Sequence, residues 1–261
     1  MKKITTLLFC LLAAVSFAAE KTAAPIDSDW KGKNVAFLGD SITDKIYACS
    51  KKNYWQFLEE SLGIAARVYA INGNTFGGVL KQAQKLKAER PDIDAIIIFA
   101  GTNDFNGGAP LGDEQTNADG KTVVRKRRAF STDTKTFRGR INAVLGFLKE
   151  NFPDAQIVLL TPTHRSYAKF GEKNVQPDES FPNRIGLYID SYVDAVKEAG
   201  NVWAVPVIDL NAICGLHPNT PAHAKYFANK DTDRLHPNAD GHYRIAKTLA
   251  RQLASLPANF E

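Results

Sequence analysis

Three short polar blocks of the sequence contain residue types that could do chemistry together. They are Gly39-Asp40-Ser41 near the start, Gly101-Thr102-Asn103-Asp104 in the middle and Asp233-Arg234-Leu235-His236-Pro237 near the end. The blocks supply a serine hydroxyl, an uncharged amide donor and an Asp–His pair. A serine hydroxyl is a weak nucleophile at neutral pH and needs an adjacent base, so this set is the minimum for acyl transfer by a serine enzyme.

Each residue type suits one step of that chemistry. A histidine exchanges protons near neutral pH, so His236 can take the proton of Ser41 and return it to a leaving group. Asp233 lies three residues earlier, and in a turn that spacing lets its carboxylate reach the imidazole Nδ1 and fix the tautomer. Asn103 offers an N–H donor to the charge that develops on a tetrahedral intermediate.

The blocks must be positioned by the elements around them, and those elements alternate between strand and helix. Apolar runs predict strands over Asn34–Leu38, Ala66–Ile71, Ala95–Ala100, Gln156–Leu160 and Val202–Ile208. Helical spacing of apolar residues predicts helices over Tyr54–Leu62, Val79–Ala88, Phe137–Phe152, Ile185–Ala199 and Ala239–Leu256. Strands that are apolar on both faces indicate a parallel sheet covered on both sides. We predict an α/β fold, a flavodoxin-like three-layer α/β/α sandwich with a five-stranded parallel sheet.

The candidate residues follow the predicted strands one after another. Ser41 follows the first strand, Gly73 the second, Asn103 the third and His164 the fourth, and the Asp–His pair follows the fifth. In open α/β sheets, sites form beyond the carboxyl ends of the strands. We therefore expect these residues to meet at one edge of the sheet, where His164 either lines the substrate pocket or is an ordinary loop histidine.

Two long polar connections leave from the same edge. They span Phe105–Thr134, with a turn at Asp119-Gly120 and a possible short strand at Lys121–Val124, and Asn211–Asp231. Loops of this length inside a compact domain are often functional, so we interpret them as walls of a substrate site. They contain few clustered large apolar residues, which favours a short acyl group over a long one.

The short polar blocks and their order along the chain resemble those of the SGNH, or GDSL-type, esterase/lipase superfamily. The resemblance rests on Gly39–Thr43, Gly73, Gly101–Asp104 and the Asp233-x-x-His236-Pro237 pattern, and it spans the chain outside the interior of the long loops. It implies Ser41 as nucleophile, His236 as base and Asp233 as the residue that orients the base. It also implies an oxyanion hole made by the backbone N–H groups of Ser41 and Gly73 and the side-chain amide of Asn103. Asp40 and Asp104 are expected to be supporting hydrogen-bond acceptors.

The resemblance implies a carboxylic ester hydrolase that needs no cofactor. The favoured substrate is a short-chain acyl ester on a small molecule or carbohydrate, above all an O-acetyl group on carbohydrate. Three other members of the superfamily remain open as alternatives: a lysophospholipase, a lipase and a thioesterase. A non-catalytic carbohydrate-binding module on this fold remains open as well.

The first 18 residues have the pattern of a secretory signal peptide. Lys2 and Lys3 precede an apolar run over Ile4–Val15, and Ser16-Phe17-Ala18 offers small residues for cleavage. The run is too short for a transmembrane helix. We predict an exported protein, periplasmic or secreted, with a single domain over residues 19–261.

Charge and metal-ligand spacing exclude some function classes. The formal net charge of +5 includes Lys2 and Lys3 of the predicted signal peptide, and the mild remainder does not indicate a nucleic-acid partner. The basic run Arg125–Arg128 is interpreted as a solvated surface. Cys214, His217 and His223 fit no zinc spacing, so no metal is predicted.

Cysteine pairing and assembly remain open. Cys49 and Cys214 form an even pair in a predicted exported protein, which permits a disulfide but equally two separate thiols. His242, at the start of the last predicted helix, is interpreted as structural. The sequence contains no signal for an oligomeric state.

Overall fold

The structure is a computed structural model that describes residues 21–47, 49–112, 115–118, 126–256 and 260. The predicted signal peptide over residues 1–18 lies outside the described residues, as does the strand predicted at Lys121–Val124.

Helices and strands alternate through most of the described chain. The helices are α1 (Tyr54–Leu62), α2 (Phe76–Glu89), α3 (Thr102–Asn106), α4 (Phe137–Asn151), α5 (Ile189–Trp203), α6 (Leu210–Ile213) and α7 (Ala239–Ser255), with a 3-10 helix over Pro221–Tyr226. The strands are β1 (Asn34–Gly39), β2 (Ala65–Val68), β3 (Ala95–Phe99), β4 (Gln115–Ala118), β5 (Lys126–Ala129), β6 (Gln156–Leu160), β7 (Ala168–Lys169), β8 (Val175–Gln176), β9 (Val207–Ile208), β10 (Phe227–Asn229) and β11 (Asp233–Pro237).

The central sheet has five parallel strands in the order β2-β1-β3-β6-β9. Neighbouring strands are in parallel register, for example Val35 opposite Ala95 and Ile96 opposite Ile157. This is the strand order of flavodoxin-like sheets, in which the connection reverses direction between β1 and β3. The predicted fold class is therefore confirmed, and the reversal places a crevice beyond the ends of those two strands.

Each face of the sheet buries its own core because side chains alternate along the strands. Ala36, Leu38, Ile96 and Ile98 lie in the core covered by α2, α4 and α5. Val35, Phe37, Ile97 and Phe99 lie in the core covered by α1 and α7. Because helices cover both faces of the sheet, its strands are apolar along their whole length.

The fifth predicted strand is wrong over most of its length. Helix α5 continues to Trp203, and β9 is only Val207–Ile208. The helix ends at Ala204 in the left-handed conformation, and its N–H donates to the Gly200 carbonyl. Trp203 extends the helix because its indole N–H donates to Asn142 of α4, 2.8 Å away, a tertiary contact that overrides the strand-like run.

The segment that carries Asp233 and His236 is a strand, where the sequence predicts a turn. β11 belongs to a second, antiparallel sheet in the order β10-β11-β7-β8. The predicted long connection Asn211–Asp231 likewise contains most of α6, the 3-10 helix and β10. These elements have two to six residues each, too few for a periodic signal to identify them.

Both cysteines left open by the sequence are unpaired thiols. Cys49 is half-buried, and Cys214 is buried in the α1–α7 core. Burial raises the pKa of the Cys49 thiol to about 12. Across the described part of the chain, no helix is long and apolar enough to cross a membrane.

Candidate active site

Ser41, His236 and Asp233 form one continuous chain of hydrogen-bonded side chains. His236 Nε2 lies 2.8 Å from Ser41 Oγ. On the other side of the ring, His236 Nδ1 lies 2.9 Å from Asp233 Oδ2 and 3.2 Å from Oδ1. All three residues are buried. The structure thus brings together three predicted residues that are separated by as many as 195 positions in sequence.

The Ser41 side chain is presented by a tight turn after β1. The N–H groups of Thr43 and Asp44 donate to the Asp40 carbonyl at 3.1 and 2.9 Å, and Ile42 N–H donates to Asp40 Oδ1. Gly39 must be a glycine, because a Cβ there would lie 2.2 Å from the carbonyl oxygen of Phe99 on β3. The turn can therefore start at the sheet edge itself.

Asp233 is held by the backbone of its own strand. Its Oδ1 accepts N–H bonds from Leu235 and His236, both 3.1 Å long. The strand is fixed in turn by Ala168 of β7, which pairs with Asp233, and by Phe227 of β10, which pairs with Pro237. The carboxylate is thus oriented toward the imidazole before any substrate binds.

Three candidate N–H donors lie on the Ser41 turn, the Gly73 loop and α3. Among the described residues, the backbone N–H groups of Ser41 and Gly73 have no acceptor. Asn103 Nδ2 donates to the Asn74 carbonyl at 2.9 Å, which leaves its second amide hydrogen free. The predicted oxyanion donors therefore retain hydrogen-bonding capacity.

These donor loops are tied together by side chains. Asp44 Oδ2 accepts from Asn72 N–H at 2.7 Å, which links the Ser41 turn to the Gly73 loop. The Asn103–Asn74 bond links the Gly73 loop to α3. Asp44 was not predicted from the sequence, although an aspartate three residues after the serine was a visible signal.

The comparisons with known proteins identify the family of the chain. The model of the GDSL-like lipase/acylhydrolase family matches residues 37–244, a span that contains the Ser41, His236 and Asp233 set. The chain belongs to this GDSL-like family. The resemblance predicted from the sequence blocks is therefore confirmed. No curated protein matches the chain in sequence.

Solved structures resemble this GDSL-like chain over most of its length. A protein from Lactobacillus plantarum is 27% identical with a TM-score of 0.70, covering 86% of this chain and 98% of its own. A possible lipase from Chitinophaga pinensis is 23% identical with a TM-score of 0.62, covering 85% and 98%. An acetyl xylan esterase is 19% identical with a TM-score of 0.55, covering 84% and 99%. The last two show a shared fold.

Two aromatic rings flank the histidine of this GDSL-like site. The centroid of Tyr47 lies 4.8 Å and that of Phe170 lies 5.4 Å from the His236 ring. Phe170 sits in the turn between β7 and β8 and is partly exposed. Sequence analysis overlooked both residues, because neither belongs to a motif.

A buried arginine connects this turn region to α3. Arg165 donates from Nη1 to Thr102 and from Nη2 to Gln176 of β8, and its guanidinium lies over the Phe105 ring at 5.4 Å. Burial lowers the pKa of Arg165 to about 10. The arginine therefore couples the segment before Asn103 to the hairpin that carries Phe170.

The two predicted supporting aspartates are both buried. Asp104 accepts from Phe76 N–H and from Arg140, each at 2.9 Å. Asp40 accepts from Ile42, and burial raises the pKa of its carboxyl to about 7. Asp104 anchors the first turn of α2 to α3, and Asp40 shapes the turn that carries Ser41.

His164 lies in a different cluster from the Ser–His–Asp set. Its Nδ1 is 2.7 Å from Glu179 Oε1, and its ring centroid is 5.1 Å from that of His217. The hydrogen bond to Glu179 raises the pKa of His164. His164, Glu179 and His217 have ligand-type atoms within 4.8 Å of one another.

The His164–Glu179 contact in this cluster is that of an ion pair. Ligand atoms around a tetrahedral zinc lie about 3.3 Å apart, whereas the His164–Glu179 contact has hydrogen-bond length. The spacing fits an ion pair better than two ligands of one metal. Cys214, His217 and His223 were the residues considered as metal ligands from the sequence. The His217 N–H donates to His223 Nδ1 at 3.0 Å, and the Cys214 thiol is buried in the core covered by α1 and α7.

Proposed function

We propose that this family member is a serine esterase with Ser41 as nucleophile, His236 as general base and Asp233 as its orienting partner. The observation that carries the proposal is the unbroken Ser41–His236–Asp233 hydrogen-bond chain. A nucleophile within hydrogen-bond reach of a base, with a third group fixing that base, is the arrangement that activates a hydroxyl.

The proposed reaction has two acyl-transfer steps. His236 Nε2 takes the Ser41 proton as Oγ bonds to the ester carbonyl carbon, and the carbonyl π electrons move to oxygen. The N–H groups of Ser41, Gly73 and Asn103 stabilise this oxyanion, and removal of one such donor typically costs about 3–4 kcal/mol. The C–O bond to the alcohol then breaks, and His236 returns the proton to the departing oxygen. A water repeats the sequence on the acyl-enzyme and releases the carboxylic acid.

We further propose short acyl esters on carbohydrate as the substrate class. Polar groups border the donor loops, including Asn72 and Thr75. The rings of Tyr47 and Phe170 beside His236 offer flat apolar surfaces of the kind on which sugar rings stack. Export by the predicted signal peptide would bring the enzyme to such a substrate.

A second candidate is a lipase or lysophospholipase. Ile46 is 80% exposed and Ile71 is 53% exposed, and both lie on the loops that carry Ser41 and Gly73. Together with Phe170, these side chains could contact an acyl chain. An apolar groove would gain about 0.8 kcal/mol per methylene, or about fourfold in rate per carbon.

The experiment is a chain-length series of p-nitrophenyl esters from acetyl to octanoyl, run beside acetylated oligosaccharides. We expect acetyl esters to give the highest kcat/KM, butyryl esters less and octanoyl esters almost none. Ser41→Ala should remove activity by several orders of magnitude. Ser61→Ala is the matched control, since Ser61 is also buried but lies in α1.

Two outcomes would contradict these proposals separately. A rate that climbs from two to eight carbons would replace the acetylesterase with the lipase candidate and leave the triad in place. Turnover by Ser41→Ala above a few per cent of wild type would remove Ser41 as the nucleophile.

A further inference from the structure

A basic cavity lies next to the candidate oxyanion donor Asn103. Its volume is about 230 Å³. The lining includes three cationic side chains, one carboxylate and two polar side chains: Lys135, Arg140, Arg184, Asp104, Thr75 and Asn103. Asn103 lies in α3 and Thr75 directly follows Asn74, whose carbonyl accepts from Asn103, so the cavity borders the candidate oxyanion donors.

The charges in this basic cavity do not balance. Asp104, the carboxylate in the lining, is already paired with Arg140, whose Nη1 lies 2.9 Å from Asp104 Oδ1. Neither Lys135 nor Arg184 forms a salt bridge with any carboxylate that the structure describes. The basic cavity therefore carries two cationic groups in excess, and both are free to bind an anion.

Arg184 is held at the cavity by a turn that is hydrogen-bonded to α3. The aliphatic part of the Arg184 side chain packs against Gly108, where a Cβ would lie 2.6 Å from Arg184 Cγ. Gly108 has a φ of +60°, which also favours glycine. The adjacent Asn183 donates from Nδ2 to the Phe105 carbonyl and to Tyr192 Oη, each at 3.0 Å. The turn is thus fixed to α3, the helix that carries Asn103.

We propose that the basic cavity is a subsite for a carboxylate on the alcohol part of the ester, so that the preferred substrates are acylated acidic sugars. This inference rests on the proposed esterase function. A guanidinium matches a carboxylate with two parallel hydrogen bonds, and Lys135 adds a point charge. The cavity is smaller than a typical whole-ligand pocket, as a subsite beside the reacting ester should be.

The test compares two substrates that differ only in the acidic group. They are an acetylated methyl glucuronide and the methyl glucoside acetylated at the same positions, with acetate release as the readout. We expect the wild type to prefer the acidic substrate by at least tenfold in kcat/KM. The preference should shrink at 1 M salt, where the Debye length is about 3 Å.

Substitutions in the cavity should change the ratio of the two rates. The double variant Lys135→Ala/Arg184→Ala is expected to lower the ratio of kcat/KM on the acidic substrate to that on the neutral one at least tenfold. Arg184→Lys in place of Arg184→Ala should restore part of this ratio. Arg251→Ala is the matched control, an exposed cation near the end of α7 that should leave the ratio unchanged. Equal wild-type rates on both substrates, or an unchanged ratio in the double variant, would overturn the subsite.

A binding measurement separates this inference from the esterase proposal. Calorimetry of Ser41→Ala with unacetylated methyl glucuronide should show binding that methyl glucoside lacks and that the added Lys135→Ala and Arg184→Ala changes abolish. If the wild type hydrolysed no ester but this pattern held, the esterase proposal would fail and the carboxylate subsite would stand. If the wild type hydrolysed esters but bound both sugars equally, the subsite would fail and the esterase proposal would stand.

Discussion

Two buried histidines on successive elements differ in every contact that matters for chemistry. His236 on β11 is 3% exposed and His242 on α7 is fully buried. Both ring nitrogens of His236 have partners, Ser41 on one side and Asp233 on the other. Both ring nitrogens of His242 lack a hydrogen-bond partner among the described residues. The two histidines therefore differ in their hydrogen-bond partners and not in their burial.

The surroundings of His242 favour its neutral form. Its ring stacks on Tyr54 of α1, with centroids 6.1 Å apart and planes inclined by 20°. Burial, and secondarily the nearby charge of His236, lowers the pKa of His242 to about 3. Its proximity to His236 therefore adds no second base to the site. The same residue type is therefore hydrogen-bonded to a serine and an aspartate in β11 and is packed without a polar partner among the described residues in α7.

The largest expected effect comes from replacing each histidine in turn, which tests the difference between them directly. His236→Gln should lower kcat/KM on p-nitrophenyl acetate by about 10⁴-fold or more, because Ser41 loses its base. His242→Leu should leave kcat/KM within about threefold, since no described group depends on its nitrogens. Steady-state kinetics on both variants measure the difference. A comparable loss in His242→Leu would show that the two sites act as one unit.

A smaller loss is expected when His236 keeps its position but its orienting carboxylate changes. Asp233→Asn should retain one oxygen for the Leu235 and His236 N–H groups but favour the wrong imidazole tautomer, costing about 10³–10⁴ in kcat. KM should change little. Circular dichroism would verify that β11 still folds. A variant with full kcat would mean that Asp233 only holds the strand.

The third effect concerns stability and involves His242 alone. Its pKa is about 3 in the folded protein against an ordinary value of 6.5, so below pH 6.5 only the unfolded chain takes up the proton. The contribution to stability is complete above pH 6.5 and declines as the pH falls toward 3, by about 2 kcal/mol at pH 5.

His242→Leu should flatten this acid-side loss. Urea denaturation at pH 7 and pH 5, with wild type and variant side by side, measures the difference in the free energy of unfolding. An identical drop between the two pH values in both proteins would show that other groups cause the acid sensitivity.

Much of the fold was predictable because it depends on local pattern. Strands β1 and β6 and helix α1 follow from apolar runs and helical spacing, and their boundaries agree with prediction to within a residue. The end of α5 was not predictable, because Trp203 bonds to Asn142 sixty-one positions away. Strand β11 was missed since most of its residues are polar and Ala168 of β7, which pairs with Asp233, is distant in sequence.

The candidate site divides in the same way. Ser41 and Asn103 were predicted because each stands in a short block after a recognisable strand, and Asp233 and His236 because their block precedes a recognisable helix. Tyr47, Phe170 and Arg165 belong to no block, and they reach the site through packing and hydrogen bonds that only the folded chain creates. His164 follows β6 as predicted, but its bond to Glu179 places it in another cluster.

The sequence by itself determined the parallel sheet and the residue types at its carboxyl edge, because alternating apolar segments leave few ways to bury two faces. Tertiary structure alone decided which polar side chains became partners. Hydrogen bonds act over about 3 Å, and the atoms they join here, such as those of Ser41 and His236, lie up to 195 positions apart in the chain. The same limit explains why the basic cavity of Lys135, Arg140 and Arg184 has no signature in the sequence.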